Sequence, residues 1–211
     1  MSPEKLRHPL SVRLAFPFIR AALKAFLLFL GPLRTTGRKH VPREGSLLII
    51  ANHLSYLDPP AVQLASPRLI HFMAGIELFE RGDRISKFVV WWRAFPVRRG
   101  ASDRRALAHA LMLLKAGECV CLFPEGNLSE DGQLLPLQPG WFMLARKTGA
   151  RVVAARVDGT QYVVPPGIEK FQKGKGPVTV QWSEPITIPE GDEQEIAQAM
   201  EAWAIEQLSP R

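Results

Sequence analysis

Cysteine is scarce in this 211-residue sequence, which contains only Cys119 and Cys121. The two lie in the apolar run ECVCLF, so on a strand both side chains point to the same face, at a spacing that rarely forms a disulfide. A disulfide framework is therefore excluded, and two reduced thiols in a cytosolic setting are expected. A metal site at the two cysteines is the weaker alternative, because the five histidines show no metal-ligand spacing.

The sequence also lacks an uninterrupted apolar run long enough to span a bilayer. The best candidate, residues 14–33, is broken by Arg20 and Lys24. Each of these bases would cost about 2.5–3.5 kcal/mol near a bilayer centre. Together with Arg13 they recur at helical spacing and form one stripe. The pattern predicts a helix that lies in the membrane surface with its bases toward anionic headgroups.

Apolar side chains are expected to cover much of the remaining surface of this helix. They are Ile19, Leu23, Phe26, Leu27 and Leu30. We expect Pro17 to begin or kink the helix and Gly31-Pro32 to end it. A helix that packs on the folded domain and never meets lipid is the alternative. A signal peptide is disfavoured, because the charged region is too long and no small-residue cleavage site follows.

Positive charge is concentrated at the N-terminus. Residues 1–43 carry a net charge of +8, whereas residues 44–211 carry −1. This excess of positive charge favours a partner with a negative surface. Nucleic acid is disfavoured as that partner, because the sequence has no basic stripe interleaved with aromatic residues. We therefore divide the chain into a membrane-associating segment, 1–34, and a folded domain, 35–211. The expected location is the cytoplasmic face of a membrane, peripheral or monotopic.

The folded domain alternates short apolar runs with helical patterns. Strands are predicted at 46–51, 68–74, 95–97, 119–123, 151–157 and 178–182. Helices are predicted at 58–66, 85–92, 102–115, 140–147 and 196–208, the third of them capped by Ser102. Alternation of this kind predicts an α/β fold with a mostly parallel central sheet and helices on both faces. Ligands of such sheets bind at the carboxyl ends of strands.

One candidate site follows the first of these strands, in the stretch NHLSYLDPP. Asn52 and His53 come directly after the strand, and Asp58 begins the next helix. Histidine is the side chain best matched to proton transfer near pH 7, and a neutral imidazole acting as a base needs its other nitrogen held, usually by a carboxylate. Two alternatives stay open at this point. His53 could be a buried structural histidine, and Asp58 could be a helix cap before a proline at the first helical position.

Two further strand ends carry residues that a turn does not require. In CLFPEGN, Glu125 lies between a proline and Gly126, both typical of turns. In AFPVRRG, Arg98 and Arg99 leave the strand, and the forked donors of arginine suit a phosphate. A solvated surface pair is the alternative for the two arginines.

Taken together and in order, these stretches resemble the glycerolipid acyltransferases typified by 1-acylglycerol-3-phosphate O-acyltransferase, also called lysophosphatidate acyltransferase. The shared motifs are Asn-His followed after four residues by Asp, then Phe-x-Val-x-Arg, then Phe-Pro-Glu-Gly, then the apolar strand RVVAARVDGT. They extend over roughly residues 35–185.

The resemblance implies a role for each matching residue. His53 is the base, Asp58 its orienting partner and Arg99 a ligand of the acceptor phosphate, while Glu125 and Gly126 belong to the acceptor site. We place Asn52 and Arg98 in the same substrate-binding set. The implied reaction moves an acyl group from acyl-CoA or acyl carrier protein to the hydroxyl of a lysophospholipid, without a cofactor. Backbone amides of the His53 turn are expected to stabilise the oxyanion.

The sequence departs from the family's pattern at several positions. Asn127 and Leu128 replace a common Thr-Arg, Gln138 replaces a lysine, Ala154 replaces a proline, and Arg98 lies where an acid is common. Two basic groups near the phosphate are thereby lost and one is gained. A lysophospholipid acyltransferase for a different headgroup is therefore an alternative. A non-catalytic peripheral membrane or lipid-binding protein is a second alternative, motivated by the basic N-terminus.

Overall fold

The structure, a computed structural model, describes residues 8–98, 103–167 and 170–210. Within these ranges the chain forms seven strands and seven α-helices, with two short 3-10 turns at 38–40 and 160–162. The strands are β1 Leu33–Thr36, β2 Leu47–Ala51, β3 His71–Gly75, β4 Phe95–Val97, β5 Cys119–Leu122, β6 Arg151–Asp158 and β7 Val178–Trp182. The helices are α1 Leu10–Leu30, α2 Asp58–Ala65, α3 Glu77–Glu80, α4 Arg84–Trp91, α5 Arg104–Lys115, α6 Gly140–Thr148 and α7 Glu193–Leu208.

All seven strands belong to one sheet with the order β1-β7-β6-β2-β5-β3-β4. The five strands from β6 to β4 are parallel to one another. β7 runs antiparallel to β6, and β1 pairs in parallel with β7. The predicted mostly parallel α/β fold is therefore confirmed. The strand β1 was missed because its short sequence, LRTT, has no apolar run.

Helices cover both faces of the sheet, as predicted. All five residues of β2 are buried, because β2 lies between β5 and β6 with a helical layer on each side. One face packs against α1 and α2, and its buried residues from β2 and β5 include Leu47, Ile49, Cys119 and Cys121. The other face, which includes Leu48 and Ile50, packs against α5, α6 and α7. The two thiols share a face, as the strand spacing predicts.

The parallel strands place their carboxyl ends along one edge of the sheet. β2 ends immediately before Asn52-His53, β5 ends before Phe123-Pro124, β4 ends before Arg98, and β6 ends at Asp158. Residues from four segments far apart in sequence are thus brought to the same edge by strand pairing alone.

Two predicted boundaries were wrong, each for a local reason. The strand predicted at 68–74 begins only at His71. The side chains of Gln63 in α2 and of Ser66, its C-cap, form hydrogen bonds with the backbone of Arg68 and Ile70. These bonds occupy backbone groups that would otherwise pair with a neighbouring strand. Helix α5 is capped not by Ser102, which lies outside the described residues, but by a neighbouring aspartate.

That cap is Asp103, whose carboxylate accepts hydrogen bonds from the backbone N–H groups of Arg105 and Ala106. The negative charge at the helix N-terminus is favourable, and the N–H groups of Arg98, Ala106 and Arg105 lower the pKa of the Asp103 carboxyl.

The N-terminal helix α1 packs on the folded domain. Val12 and Leu27 are fully buried in the core beneath it, and Phe16, Ile19, Leu23 and Leu30 pack against that core. The prediction that Ile19, Leu23, Leu27 and Leu30 supply a lipid-facing surface was therefore wrong, because these side chains lie on the face that meets the sheet.

The predicted limits of the N-terminal segment also change. Because β1 pairs with β7 from Leu33 onward, a boundary at residue 34 would cut a strand. The helix begins at Leu10, so Pro17 lies inside it rather than at its start, and the helix ends before Gly31 as predicted. Among the described residues, no helix combines the length and apolar composition needed to cross a bilayer.

The packing of α1 can be tested with two adjacent leucines, because Leu27 is fully buried whereas Leu28 is 67% exposed. Leu27→Ala is expected to lower the free energy of unfolding by about 2–5 kcal/mol through the cavity that it leaves. Leu28→Ala should change it by no more than about 0.5 kcal/mol. Urea denaturation of both variants measures the difference. Equal effects would show that α1 does not pack on the sheet in this register.

Candidate active site

His53 and Asp58 form a direct pair at the carboxyl edge of the sheet. The Nδ1 atom of His53 lies 2.8 Å from Oδ2 of Asp58. No described protein atom hydrogen-bonds the other ring nitrogen, Nε2, and 9% of the histidine side chain remains exposed. The strand-turn-helix corner between β2 and α2 therefore brings together the two residues that the sequence proposed as base and orienting partner. Nε2 is left without a hydrogen-bond partner among the described residues.

Asp58 accepts hydrogen bonds from four donors. Oδ2 accepts from the backbone N–H groups of Leu54 and Ser55 at 2.6 and 2.8 Å as well as from His53. Oδ1 accepts from the Thr160 hydroxyl at 2.5 Å. A carboxylate can satisfy all four donors, whereas an acid proton would compete with one of them. Because a carboxylate only accepts, Nδ1 of His53 carries the hydrogen of this pair, and Nε2 is the nitrogen that a neutral imidazole would leave free to accept a proton.

The alternative interpretation of Asp58 as a helix cap was wrong. The cap position of α2 is Leu57, and Asp58 is the first helical residue, with prolines following it. Its carboxylate turns back toward the preceding loop and binds the N–H groups of residues 54 and 55 rather than those of α2. The fixed φ of the two prolines starts the helix without a side-chain cap, so Asp58 is free to organise the turn.

Thr160 is the site residue that the sequence analysis missed. It follows β6, is fully buried, and lies 102 positions after the aspartate that it contacts. It belongs to the stretch RVVAARVDGT, but a threonine after a strand is ordinary in a loop, so nothing local marked it. The only available signal was that β6 was expected to end at the same sheet edge as β2.

Asn52 binds backbone, not an open site. Its side-chain amide donates to the carbonyl of Val157 at 2.8 Å and accepts from the N–H of Val157 at 2.7 Å. The residue is buried, and the pair of bonds continues the β2–β6 ladder one step past the last strand residue. The Asn52 side chain thus fixes the start of the His53 turn, and its predicted contact with substrate stays a prediction.

Glu125 is also buried and bridges two backbone segments. Oε1 accepts from the N–H of His53 at 2.7 Å, and Oε2 accepts from the N–H of Leu135 at 2.8 Å. Burial raises the pKa of the Glu125 carboxyl, and the two backbone donors act in the opposite direction. The structure therefore connects Glu125 to the backbone of His53 and to the 129–138 loop. Its predicted acceptor contact stays a prediction.

The segment after β5 encloses His53 from the side. The ring of Phe123 stacks on the imidazole, with the centroids 4.0 Å apart. The N–H of Ser129 donates to the carbonyl of His53 at 2.8 Å. Between them, Gly126 adopts φ +73°, a left-handed conformation that glycine tolerates, and its N–H closes a turn onto the carbonyl of Phe123. Gly126 is exposed, and its acceptor role stays a prediction.

Arg98 lies at the same sheet edge but apart from His53. It is exposed at the end of β4, and its N–H donates to Asp103. β4 lies three strand spacings from β2, which corresponds to roughly 14 Å. Arg98 can therefore serve the distal part of a substrate but not the reacting atoms. Arg99 lies outside the described residues.

The expectation that amides of the His53 turn stabilise an oxyanion was wrong for three successive residues. The N–H of His53 is bound to Glu125, and the N–H groups of Leu54 and Ser55 are bound to Asp58. These donors hold the His53–Asp58 pair and its turn in place, and they are not available to a substrate oxygen.

Neither cysteine is placed for covalent catalysis. Cys119 and Cys121 are fully buried in the core face, and burial raises the pKa of the Cys119 thiol to about 12 and that of Cys121 well above its ordinary value. A thiol held protonated and away from solvent is inert as a nucleophile.

The fold is an α/β sheet that carries a hydrogen-bonded His–Asp pair at its carboxyl edge, an arrangement found in enzymes. Comparison with known proteins gives the family. A sequence model described as Acyltransferase matches residues 32–165, a range that includes the His53, Arg98 and Glu125 stretches. The chain belongs to the Acyltransferase family.

Individual relatives agree with this assignment. The chain is 32% identical over 162 residues to a 1-acyl-sn-glycerol-3-phosphate acyltransferase of Bacillus subtilis, covering 76% of this chain and 77% of the relative. It is 43% identical over 140 residues to the chloroplastic enzyme BAT2 of Brassica napus, covering 63% of this chain but 39% of that longer relative. The crystal structure of the 1-acyl-sn-glycerophosphate acyltransferase PlsC from Thermotoga maritima superposes with a TM-score of 0.70 at 26% identity, covering 89% of this chain and 76% of that one.

The role of Thr160 can be tested by removing only its hydroxyl. Thr160→Val is expected to lower kcat about 10-fold to 100-fold, because a hydrogen bond to a charged group contributes about 1.5–3 kcal/mol. Thr160→Ser keeps the hydroxyl and should retain most of the activity, and KM for the acceptor should change little in both variants. Steady-state kinetics and thermal denaturation measure these effects. Equal kcat values for the two variants would show that Thr160 does not position Asp58.

Proposed function

We propose that this protein transfers a fatty acyl group from an acyl thioester to the free hydroxyl of a lysophosphatidate, forming phosphatidate, with His53 as the general base. The carrying observation is the His53–Asp58 pair, held by four donors to Asp58, in a chain of the Acyltransferase family. Relatives from a bacterium and from a plant chloroplast are both named as acting on 1-acyl-sn-glycerol-3-phosphate.

The reaction follows from the protonation pattern of the pair. Nε2 of His53 removes the hydroxyl proton as the acceptor oxygen attacks the thioester carbonyl. The new ester C–O bond forms, the C–S bond breaks, and the departing thiolate takes the proton from the imidazolium. Asp58 stabilises the imidazolium during the step and keeps Nδ1 protonated throughout. The thioester is already activated, so the enzyme needs no covalent intermediate.

The acceptor phosphate is assigned to Arg98 and Arg99. Arginine presents forked donors that match phosphate oxygens. The carboxyl end of β4 is roughly 14 Å from that of β2, three strand spacings away, and the long arginine side chain shortens this gap. Glu125 and Gly126 complete the acceptor side of the site in this proposal. The donor is acyl-CoA or acyl carrier protein, since both supply an acyl thioester.

Membrane association is proposed for the face of α1 that points away from the sheet. Its large apolar side chains are exposed, Phe18 by 77% and Phe29 by 80%. We call this surface the apolar face of α1; it consists of Leu10, Leu14, Phe18, Leu28 and Phe29. Arg13, Arg20 and Lys24 form a stripe along its flank. A helix with lipid on one side and the domain core on the other holds the enzyme on the cytoplasmic face of a membrane without crossing it.

Removing the base tests the mechanism. His53→Ala is expected to lower kcat by about 10²-fold to 10⁴-fold, the usual contribution of a general base, with the fold intact. His109→Ala removes a partly exposed imidazole from α5 and is the matched control. Turnover is measured as free thiol released from an acyl thioester with a lysophosphatidate acceptor. Near-normal turnover by His53→Ala would exclude the mechanism. If the wild-type protein binds lysolipid but releases no thiol, the protein is a lipid carrier and not an enzyme.

The apolar face of α1 is tested by a charge that does not disturb the core. Phe18→Asp is expected to weaken binding to phospholipid vesicles at least tenfold, because it both removes an exposed aromatic ring and adds a charge of the wrong sign. Its free energy of unfolding should change by no more than about 0.5 kcal/mol, since the side chain points away from the sheet. Vesicle sedimentation measures the binding. Unchanged binding would exclude the apolar face of α1 as the membrane contact.

A further inference from the structure

The loop between β6 and β7 runs along the same sheet edge as the active site. It leaves β6 at Asp158, includes Thr160 of the site, and returns to β7 at Val178. Early in this loop, the carbonyl of Val164 accepts a hydrogen bond from the Ser55 hydroxyl at 2.6 Å. Ser55 belongs to the turn between β2 and α2, residues 52–58, which carries His53 and is called the catalytic turn below. The loop is therefore attached to the catalytic turn at two points.

The later part of this loop is attached to the end of α1. The N–H of Gly174 donates to the carbonyl of Leu30 at 2.6 Å, and the N–H of Gln172 donates to Val163 at 2.9 Å. The ring of Phe171 meets the ring of Phe26 edge to face, with the centroids 5.2 Å apart. Because α1 ends at this point, the loop and the last turn of the helix present one continuous surface.

This surface combines aromatic and basic side chains. Phe171 is 56% exposed although it is a large apolar residue. Lys170, Lys173 and Lys175 are also exposed, and none of them forms an ion pair with a described residue. Lys175 lies over the ring of Tyr162, with its ammonium 5.1 Å from the ring centroid. Glu169, the nearest acid in sequence, lies outside the described residues.

We propose that Phe171, Lys170 and Lys173 form a second membrane contact, which binds the headgroup region of an anionic bilayer beside the apolar face of α1. The inference rests on the proposed membrane association of α1 and extends it. An exposed aromatic ring between lysines suits the bilayer interface, where the ring enters the acyl boundary and the ammonium groups meet lipid phosphates. The contact to Phe26 makes this loop continuous with α1.

The contact has a consequence for the proposed reaction. A helix alone fixes the domain along one line and leaves rotation about that line free. A second contact at the carboxyl edge of the sheet sets that rotation, so that the edge carrying His53 faces the bilayer. A lysophospholipid then reaches the base from the membrane without passing through water.

Charge reversal tests the lysines. Lys170→Glu/Lys173→Glu is expected to weaken binding to phosphatidylglycerol-containing phosphatidylcholine vesicles by about fivefold or more per lysine, and to leave binding to pure phosphatidylcholine nearly unchanged. Lys115→Glu/Lys147→Glu makes the same change of charge at exposed positions of α5 and α6, which cover the opposite face of the sheet, and should have a much smaller effect. Lys175 is left intact because it contacts Tyr162.

Phe171→Ser tests the aromatic ring, and it should weaken binding to both kinds of vesicle. This inference is overturned if Lys170→Glu/Lys173→Glu and Phe171→Ser, the two loop variants, bind vesicles as well as the wild type does while Phe18→Asp does not bind. The membrane role of α1 would then remain. If the wild type itself binds no vesicles, the membrane association and this inference both fall.

Turnover in solution keeps the catalytic proposal separate. With a short-chain lysophosphatidate below its micellar concentration, the loop variants should match the wild type in kcat and in KM. A raised KM for this monomeric acceptor with unchanged vesicle binding would assign the lysines to the acceptor phosphate and contradict a bilayer contact.

Discussion

The hydrogen bonds to the Asp58 carboxylate hold the active site together. Donors from the turn after β2 and from the loop after β6 all reach this one side chain, so a single charge organises two segments that are distant in sequence. Asn52 and Ser55 add a second layer of bonds between the same two segments. A buried charge is costly to remove from water, and these donors offset that cost only in one geometry. The arrangement therefore fixes the orientation of His53 without a bound substrate, and such preorganisation supports the proposed role of His53 as a base.

Strand order decides which residues can join this site. β6 and β5 flank β2, so Thr160 and Glu125 lie one strand spacing from the base, whereas Arg98 lies three spacings away. Near neighbours touch the catalytic turn, and a distant neighbour can touch only the far end of a substrate. In the proposed reaction, this order puts Arg98 on the side of the acceptor that lies away from the reacting hydroxyl. Glu125 binds backbone groups for a related reason. The N–H groups of His53 and Leu135 have no partner in the sheet, and the buried carboxylate of Glu125 accepts a hydrogen bond from each.

The sequence predicted the parts of this structure that depend on local pattern. Short apolar runs predicted the central strands, and the spacing from His53 to Asp58 predicted that these two side chains meet. The parts that depend on pairing across the sheet were missed or misassigned. Thr160 and Asn52 have meaning only through partners more than 100 positions away, on a neighbouring segment. The amides of residues 53–55 were expected to face a substrate because a sequence does not show which acceptor an N–H will find. In each case the sequence shows which polar group is present, but not the distant group with which it forms a hydrogen bond.

Helix α1 shows the same limit in its hydropathy. Its apolar residues occur on two opposite faces, with the bases on one flank between them. A helix apolar nearly all round is expected either in a core or in a membrane, and periodicity alone does not distinguish them. Here the two explanations apply to different faces: Leu27 and Val12 meet the sheet, while Phe18 and Phe29 are exposed. The domain core thus removes half of the apolar surface that a membrane helix would offer, and the bases remain at the boundary. In the proposed membrane contact, α1 meets the bilayer with one face and keeps the other face in the fold, so lipid binding and domain stability would depend on different residues of one helix.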